Sequence, residues 1–331
     1  MSLPVGPFFR SQVCTQLPVP TKSFAGQTII VTGSNTGMGL EAARHMVRLG
    51  AAKMILAVRS LERGAAAAKS IAETTGRGDA VEVWDLDLAS HASVRAFAVR
   101  AAGLERLDVV VENAGVYGIE FARAEDNERT ITVNFVSTML LALLLLPKLR
   151  ETAVAFDKDV VLTFTGSFVH WLTDFPERNA DNILELLARE DKARMADRYN
   201  VSKMMELLAF RELATALTQP SNTRRIVTSI INPGAVITDI MREARGFFYL
   251  YVKAMQKMIM RTAEEGGRTL VHAAEGGRET DAKYLCDCQP APPELMSHWV
   301  RSKEAMVTQK KVWKELLDKL ESIQPGISKN I

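Results

Sequence analysis

Tyr199 and Lys203 stand four residues apart in the stretch DRYNVSKMMELLAF (197–210), at the start of an apolar-periodic segment. Residues i and i+4 share one face of a helix, about one turn apart. A phenol and an ammonium group on one face can act as an acid–base pair, because the positive charge favours the phenolate. Two polar side chains on a solvated helix face would give the same pattern. The surrounding sequence therefore has to decide between these interpretations.

A glycine-rich stretch, IIVTGSNTGMGL, follows the first predicted strand and opens the first predicted helix. Its glycines permit a tight turn and a close backbone approach to a pyrophosphate, and the helix N-terminus offers free N–H groups to it. A glycine-rich turn without a ligand is the alternative, but the position in the first βαβ unit favours dinucleotide binding. The loop residues assigned to the cofactor are Gly33, Ser34, Asn35, Thr36, Gly37, Met38 and Gly39.

The end of the second predicted strand, ILAVRSLERG, indicates which dinucleotide binds. An NAD site usually carries an acidic residue there for the ribose hydroxyl, whereas this chain has Arg59. A guanidinium group suits a 2′-phosphate, so NADP(H) is the predicted cofactor; a solvated Arg is the alternative. After the third strand stand Asp85 and Asp87, one of which is expected to accept from the adenine amino group. Asp87 and its neighbour Leu88 are assigned to the site.

The composition excludes several other classes of protein. The chain has 331 residues, 47% hydrophobic and 24% charged, with a net charge of +2. A net charge this small does not indicate a basic surface for binding nucleic acid. Three cysteines without a Cys-x-x-Cys pair indicate neither a disulfide framework nor a metal site, so a reducing, cytoplasmic compartment is expected. Residues 1–25 contain four prolines and no signal-peptide core, which predicts an extended N-terminal arm.

Strand and helix signals alternate through the first half of the chain, which predicts a parallel sheet covered by helices. The expected fold is a single α/β domain with a doubly wound parallel β-sheet of about seven strands, helices on both faces and a C-terminal helical extension. The most apolar run, TMLLALLLLP (138–147), is too short for a membrane span and is predicted to be a buried helix. The predicted strands are 28–32, 53–58, 81–86, 107–111, 159–165, 226–231 and 283–286, and the predicted helices lie near 37–49, 61–74, 90–103, 126–149, 198–217 and 263–275.

Several motifs in a fixed order resemble those of the short-chain dehydrogenase/reductases with a Rossmann core. The resemblance covers roughly residues 25–290. Within the family, the chain resembles the retinol-dehydrogenase-like members and the reductases of fungal secondary metabolism. Each motif is weak alone, and together they are specific. They are TGSNTGMG (32–39), ENAG (112–115), VNF (133–135), TFTGSFVH (163–170), YNVSK (199–203) and NPGAVITD (232–239).

The resemblance implies a catalytic tetrad of Asn134, Ser167, Tyr199 and Lys203. Hydride transfer to a carbonyl leaves negative charge on oxygen, which requires a proton donor and a hydrogen-bond donor. Tyr199 would be the acid or, as phenolate, the base. Lys203 would lower its pKa and hold the nicotinamide ribose, Ser167 would polarise the substrate oxygen, and Asn134 would anchor a relay water. A capping hydroxyl and a buried amide are the alternatives for Ser167 and Asn134.

The remaining cofactor contacts also follow from the resemblance. Where the family usually reads Asn-Asn-Ala-Gly, this chain has Glu112, so the packing at this sheet end is expected to differ while the chemistry is kept. His170, three residues after Ser167, is expected to be structural or part of the substrate loop. The further residues assigned to the cofactor are Asn113, Ala114, Gly115, Tyr199, Lys203, Pro233, Gly234, Val236 and Thr238.

The variable parts of the chain indicate a large, lipophilic substrate. An insertion at 171–197 separates Ser167 from Tyr199, and a lid at 239–262 carries aromatic and Met residues with interleaved basic ones. The segment 242–261 is expected to pack on the domain, with membrane-surface contact as the alternative. In the extension 291–331, an apolar stripe of Trp299, Met306, Trp313 and Leu320 predicts docking onto the core or a partner, and the resemblance suggests a homodimer.

These features lead to one principal hypothesis and two alternatives. The principal one is an NADP(H)-dependent oxidoreductase that transfers hydride between the nicotinamide and a carbonyl or secondary alcohol of a lipophilic molecule. Such a reaction suits a tailoring step in secondary metabolism or in retinoid- or lipid-like metabolism. The alternatives are an isomerase, dehydratase or cyclase of the same fold without net redox, and a non-catalytic NADP-binding protein.

Overall fold

The computed structural model describes residues 5–218, 225–237 and 260–331. Thr238 and most of the expected lid, residues 239–259, lie outside the described residues. The nicotinamide contact predicted for Thr238 therefore rests on the sequence. So do the expected packing of segment 242–261 on the domain and its alternative, membrane contact, apart from residues 260–261.

The centre of the molecule is a sheet in which seven strands run parallel and a short eighth strand is antiparallel at one edge. All residues of the first strand are buried, and Ile30 lies between Ile55 and Val110 of its two neighbours. Such apolar runs are buried on both sides, which is characteristic of parallel sheets covered by helices. The strand order is β8-β7-β6-β5-β4-β1-β2-β3, with β1 Thr28–Thr32, β2 Lys53–Val58, β3 Val81–Asp85, β4 Val109–Glu112, β5 Val160–Thr165, β6 Ile226–Asn232, β7 Lys283–Cys286 and β8 Gln289–Pro290.

Helices cover both faces of this sheet and divide the interior into two apolar clusters. The described helices are α1 Val5–Phe9, α2 Gly37–Arg48, α3 Leu61–Thr75, α4 His91–Ala102, α5 Arg129–Ala155, α6 Ile183–Leu187, α7 Met195–Leu217, α8 Ala263–Ala274 and α9 Lys303–Ile323. In one cluster α2 and α8 pack on one face of the sheet, and in the other α4, α5, α7 and α9 pack on the opposite face. The prediction of a doubly wound α/β fold is confirmed.

Helix α5 is the most apolar of the described helices and contains a π-helical turn over Thr132–Ser137. Among the described residues it alone is long and apolar enough to span a membrane, and 89% of its apolar window is buried inside the fold. Length and apolar composition alone do not distinguish a membrane span from a buried core helix, and the burial of α5 is that of a core helix. Chain-terminal residues pack on it, since the Asn330 side-chain amide donates to Leu143 O at 3.1 Å.

The C-terminal extension docks onto the core through α9, which packs against α7. The buried stripe of α9 consists of Ala305, Val312, Leu316 and Leu320, at helical spacing. Met306 was predicted to belong to this stripe and is instead 53% exposed. The seven-residue repeat overlaps the buried face only in part because a straight helix repeats every 3.6 residues, so a strict heptad drifts off one face.

The N-terminal arm differs from the expected extended form. Val5–Phe9 is α-helical and Arg10–Cys14 is π-helical, and a stretch without regular secondary structure follows this segment. The helical part is held by tertiary contacts, because the Ser11 hydroxyl donates to Asp287 at 2.7 Å and the Arg261 guanidinium donates to Ser11 O at 2.9 Å. Tertiary contacts of this kind override what the prolines indicate about local structure.

Candidate active site

The glycine loop connects β1 to α2, and two of its glycines are required by close approaches. Gly33 has φ +64°, and a Cβ there would lie 2.9 Å from the Cα of Ala114. A Cβ on Gly39 would lie 2.5 Å from the side-chain nitrogen of Asn113. The loop after β4 therefore presses against the glycine loop, and no larger residue fits between them.

Thr32 ties these two loops together at the carboxyl edge of the sheet. Its hydroxyl oxygen accepts from the backbone N–H groups of Asn113 and Ala114, both at 2.9 Å. The Asn113 amide donates to Thr32 O at 2.9 Å. The same Thr32 hydroxyl donates to the buried carboxyl of Glu112 at 3.3 Å. The altered packing expected at Glu112 thus takes the form of a buried carboxyl bonded to the first strand.

A cavity of about 370 Å³ opens between the two loops, within the usual range of cofactor sites. Most residues assigned to the cofactor lie in its wall. Ser34 does not, since it is buried and its hydroxyl donates to Val31 O at 2.8 Å. The predicted residues that line the cavity are Gly33, Asn35, Thr36, Gly37, Met38, Gly39, Arg59, Asp87, Leu88, Asn113, Ala114 and Gly115.

One end of the cavity carries two cations at the start of α3. Arg59 and Arg63 both line this end, and Ser60 between them caps the helix by accepting from Arg63 N. Two guanidinium groups and a helix N-terminus suit a phosphate dianion. Arg63 was missed from the sequence, although its place four residues after Arg59, one helical turn on, was a usable signal.

Asp87 lines the cavity, but its carboxylate is already engaged. Its Oδ1 accepts from Ala89 N at 2.9 Å, which fixes the turn into α4. Asp85, at the end of β3, is exposed and lies outside the cavity's lining. Of the two, Asp87 is therefore the one that lines the cavity, and its contact with the adenine stays a prediction.

Asn134 lies in the π-helical turn of α5 and is fully buried. Its side chain exchanges two hydrogen bonds with the backbone of Val116, at 2.8 and 2.9 Å, and donates to the Ser202 hydroxyl at 3.1 Å. The amide thus fixes the loop after β4 against the helix that carries Tyr199. Its side chain is satisfied by protein partners, so the relay-water role stays a prediction.

Ser167 follows β5, and its backbone is positioned by a buried histidine. Its hydroxyl accepts from Val169 N at 3.3 Å, the capping arrangement that was the alternative to catalysis, and it can still donate to a substrate oxygen. His170 Nε2 accepts from Ser297 N, so its Nδ1 carries the proton and donates to Ser167 O at 2.8 Å. Burial lowers the pKa of His170 to about 4, against the raising effect of the bond to Ser167. His170 is therefore neutral and structural, one of the two expected roles.

Tyr199 and Lys203 lie on α7, beside the far end of the cavity. The ring of Tyr199 contacts that of Tyr117, which lines the cavity, with centroids 5.4 Å apart. Lys203 is buried, and its Nζ donates to Thr165 O at 2.7 Å and to Glu206 Oε2 at 2.8 Å. Burial raises the pKa of Tyr199, and Lys203 opposes this effect. Tyr199 and Lys203 thus lie next to the candidate cofactor cavity but outside its lining, and the contact of Lys203 with the nicotinamide ribose stays a prediction.

Pro233, Gly234 and Val236, expected at the nicotinamide, lie outside the cavity's lining. Their loop instead contacts the N-terminal segment, because Ala235 N donates to the Gln12 side chain at 3.0 Å. Phe8 of the same segment contacts Phe168, next to Ser167, with ring centroids 4.7 Å apart. Sequence reasoning missed Phe8 and Gln12, since no local pattern connects them with residues so distant in the chain.

Comparisons with known proteins agree with this geometry. Residues 27–155 match the family model described as short chain dehydrogenase. The chain is 41% identical over 98% of its length to the short chain dehydrogenase/reductase dmxR8 of Cryptosporiopsis sp., covering 99% of that protein. It is 39% identical over 97% of its length to the short-chain dehydrogenase anuD of Penicillium roqueforti, covering 84% of it.

Solved structures share the fold at lower identity. The Pseudomonas aeruginosa RhlG/NADP active-site complex superposes with a TM-score of 0.59 at 22% identity, covering 80% of this chain and 95% of that one. The chain belongs to the short-chain dehydrogenase/reductase family of oxidoreductases.

Proposed function

We propose that this protein is an NADP(H)-dependent oxidoreductase that reduces a carbonyl group, or oxidises the corresponding secondary alcohol, of a lipophilic small molecule. Tyr199 is its general acid and base. The observation that carries the proposal is the single cavity that runs from Arg59 and Arg63 along the glycine loop to Tyr117, which contacts Tyr199.

The residues around the cavity fit a phosphorylated dinucleotide. Gly33, Gly37 and Gly39 line the cavity at the N-terminus of α2, where backbone N–H groups suit a pyrophosphate. Arg59 and Arg63 suit the 2′-phosphate that distinguishes NADP from NAD. When bound, NADP(H) supplies or accepts the hydride.

Tyr199, Ser167 and Asn134 have separate roles in the reaction. Tyr199 donates its phenolic proton to the carbonyl oxygen as charge develops there, and Ser167 donates a second hydrogen bond to the same oxygen. Asn134 holds the Val116 loop against Ser202 of α7 and so keeps Tyr117 and Tyr199 beside the cavity. The rings of Phe8, Phe168 and Tyr117 near Ser167 and Tyr199 suit an apolar substrate.

We place the reaction among the tailoring steps of secondary metabolism, as the resemblance to fungal reductases suggests. We propose a cytoplasmic location because the three cysteines are free. The homodimer suggested by the resemblance belongs to the same proposal. Light scattering of the purified chain tests the assembly, since a monomer mass would contradict the dimer. In the family that the chain resembles, the helices at 126–149 and 198–217 commonly form the dimer, and in this chain Asn330 and Gln309 of the C-terminal extension already contact them.

The test is the loss of NADPH absorbance across a panel of lipophilic ketones and aldehydes, with the reduced products identified. We expect NADPH consumption matched by alcohol formation, and loss of both in Tyr199→Phe. Turnover of a substrate without consumption of NADPH would favour an isomerase, dehydratase or cyclase. Binding of NADPH with no chemistry on any member of the panel would favour the non-catalytic alternative.

A further inference from the structure

The catalytic lysine candidate is paired with a buried carboxyl that the catalytic tetrad does not include. Lys203 Nζ and Glu206 Oε2 are 2.8 Å apart, and their side chains are 5% and 2% exposed. Both residues lie on α7, three positions apart and so on one face of the helix. Lys203 therefore does not stand as an isolated cation beside Tyr199.

A second carboxyl lies behind this pair, at the end of β4. Glu112 is 2% exposed, its Oε2 accepts from the Thr32 hydroxyl, and among the described residues its Oε1 has no hydrogen-bond partner. Burial raises the pKa of Glu112 to about 8, and the nearby charge of Glu206 adds to that effect. At neutral pH Glu112 is therefore an uncharged carboxyl group that adds no charge to the site.

The net charge of the Lys203–Glu206 pair does not depend on where its shared proton lies. Ammonium with carboxylate and amine with carboxylic acid both sum to zero. Among the described residues, the groups that act electrostatically on Tyr199 are Lys203 and Glu206 of α7 and Tyr117 of the loop after β4. Burial is the largest influence and raises the pKa of Tyr199; Lys203 lowers it, whereas Glu206 and Tyr117 raise it. The outcome is a pKa above that of a free tyrosine.

We infer that Glu206 is a positioning residue that neutralises Lys203 and so keeps Tyr199 as the phenol that carbonyl reduction requires. This inference rests on the proposed function and assigns a physiological direction to it. In the reduction, the O–H bond of Tyr199 breaks and the carbonyl oxygen takes the proton, while the carbonyl carbon takes the hydride from bound NADPH. The phenolate left behind takes up a proton from solvent, and the Lys203–Glu206 pair keeps its net charge of zero.

The experiment is a titration of tyrosinate absorbance in the full chain, without substrate or cofactor. The chain has five tyrosines, so the signal of Tyr199 is isolated by subtracting the same titration of a Tyr199→Phe protein. Glu206→Gln leaves Lys203 as an uncompensated cation. We expect Tyr199 to titrate at lower pH in this variant by about one pH unit or more.

A matched control comes from the same helix. Glu212 lies six residues after Glu206, is half-buried and accepts from Gln309 at 2.5 Å. Glu212→Gln makes the same chemical change away from Lys203 and leaves the titration of Tyr199 in place. Titration of Tyr199 in Glu206→Gln at the wild-type pH, or above it, would overturn the inference.

A double variant covers the case in which Glu206→Gln fails to fold. Lys203→Met with Glu206→Gln removes both charges and keeps their sum at zero, so Tyr199 is expected to titrate within about half a pH unit of wild type. A larger change in the pH at which Tyr199 titrates, in either direction, would contradict the inference that Lys203 and Glu206 cancel each other's charge.

The inference about Glu206 and the proposed function can be contradicted independently of each other. The titration of Tyr199 needs no substrate turnover, and the result of the NADPH panel does not depend on the pKa of Tyr199. Once a carbonyl substrate is found, its reduction by Glu206→Gln is expected to decline at lower pH than in the wild type, because the phenol is lost earlier as pH rises. An unchanged pH profile of reduction would show that Glu206 serves only the structure.

Discussion

The cofactor side and the catalytic side of the cavity are built in different ways. The cofactor side uses backbone turns at Gly33 and Gly39 together with the exposed cations Arg59 and Arg63. The catalytic side uses buried side chains whose polar atoms are bonded within the protein, such as Lys203 and Asn134. Changes on the cofactor side should alter affinity, whereas changes on the catalytic side should also alter pH dependence and stability, because buried charges are coupled to folding.

The largest effect is expected at Tyr199 on the catalytic side. Tyr199→Phe removes the proton donor and keeps the ring contact with Tyr117, so reduction should fall by about 10²–10⁴-fold. NADPH consumption measures the loss, and fluorescence of bound NADPH shows whether the cofactor still binds. Tyr284→Phe makes the same change at a buried position in β7 and should retain activity. Full activity of Tyr199→Phe would remove this residue from the chemistry.

The next effect concerns the stability conferred by Glu112. Its pKa is raised from 4.5 to about 8 in the folded chain, so the protonated form stabilises the fold below pH 4.5. That contribution, about 5 kcal/mol, is lost as the pH rises toward 8. Glu112→Gln should therefore gain stability relative to wild type as the pH rises from 4.5 to about 8, measured by urea unfolding. A constant difference across that range would show that Glu112 is not buried as a neutral acid.

His170 should show the opposite dependence on pH. Burial lowers its pKa from 6.5 to about 4, so the neutral form contributes stability above pH 6.5. About 3 kcal/mol of that stability should disappear as the pH falls toward 4. Unfolding of wild type and His170→Gln across this window measures the difference. Parallel pH profiles of the two proteins would contradict the assignment of a buried neutral histidine.

The smallest effect is expected on the cofactor side. Arg59→Ala should weaken NADPH binding by about 10- to 100-fold, as expected for loss of a hydrogen bond to a charged group, and leave NADH binding nearly unchanged. Arg48→Ala, on the exposed face of α2, is the matched control. Equal weakening of NADPH and NADH binding by Arg59→Ala would place the 2′-phosphate elsewhere.

The same contrast explains what could be predicted from the sequence. The parallel strands and the glycine loop follow from local patterns, namely buried apolar runs and glycines between a strand and a helix. Arg59 was found because it replaces an acid at a position defined by those patterns. Most residues on the cofactor side of the cavity could therefore be predicted from local signals.

The catalytic side depends on contacts between distant residues. The motif order was enough to assign Tyr199 and Lys203, and the three-residue spacing of Lys203 and Glu206 was a usable local signal for their pairing. No local pattern indicates that Glu112 lies behind this pair. The helical N-terminal segment was missed for the same reason, since Ser11 and Gln12 are held by Asp287, Arg261 and Ala235. Buried polar contacts of this kind are determined by the tertiary structure.

A crystal structure with NADPH bound would test the central claim most directly. The account predicts that the pyrophosphate lies over Gly33–Gly39, that the 2′-phosphate bonds to Arg59 and Arg63, and that the reduced nicotinamide lies beside Tyr199. A cofactor bound outside this cavity, or with its nicotinamide away from Tyr199, would contradict the proposal that these residues form one oxidoreductase site.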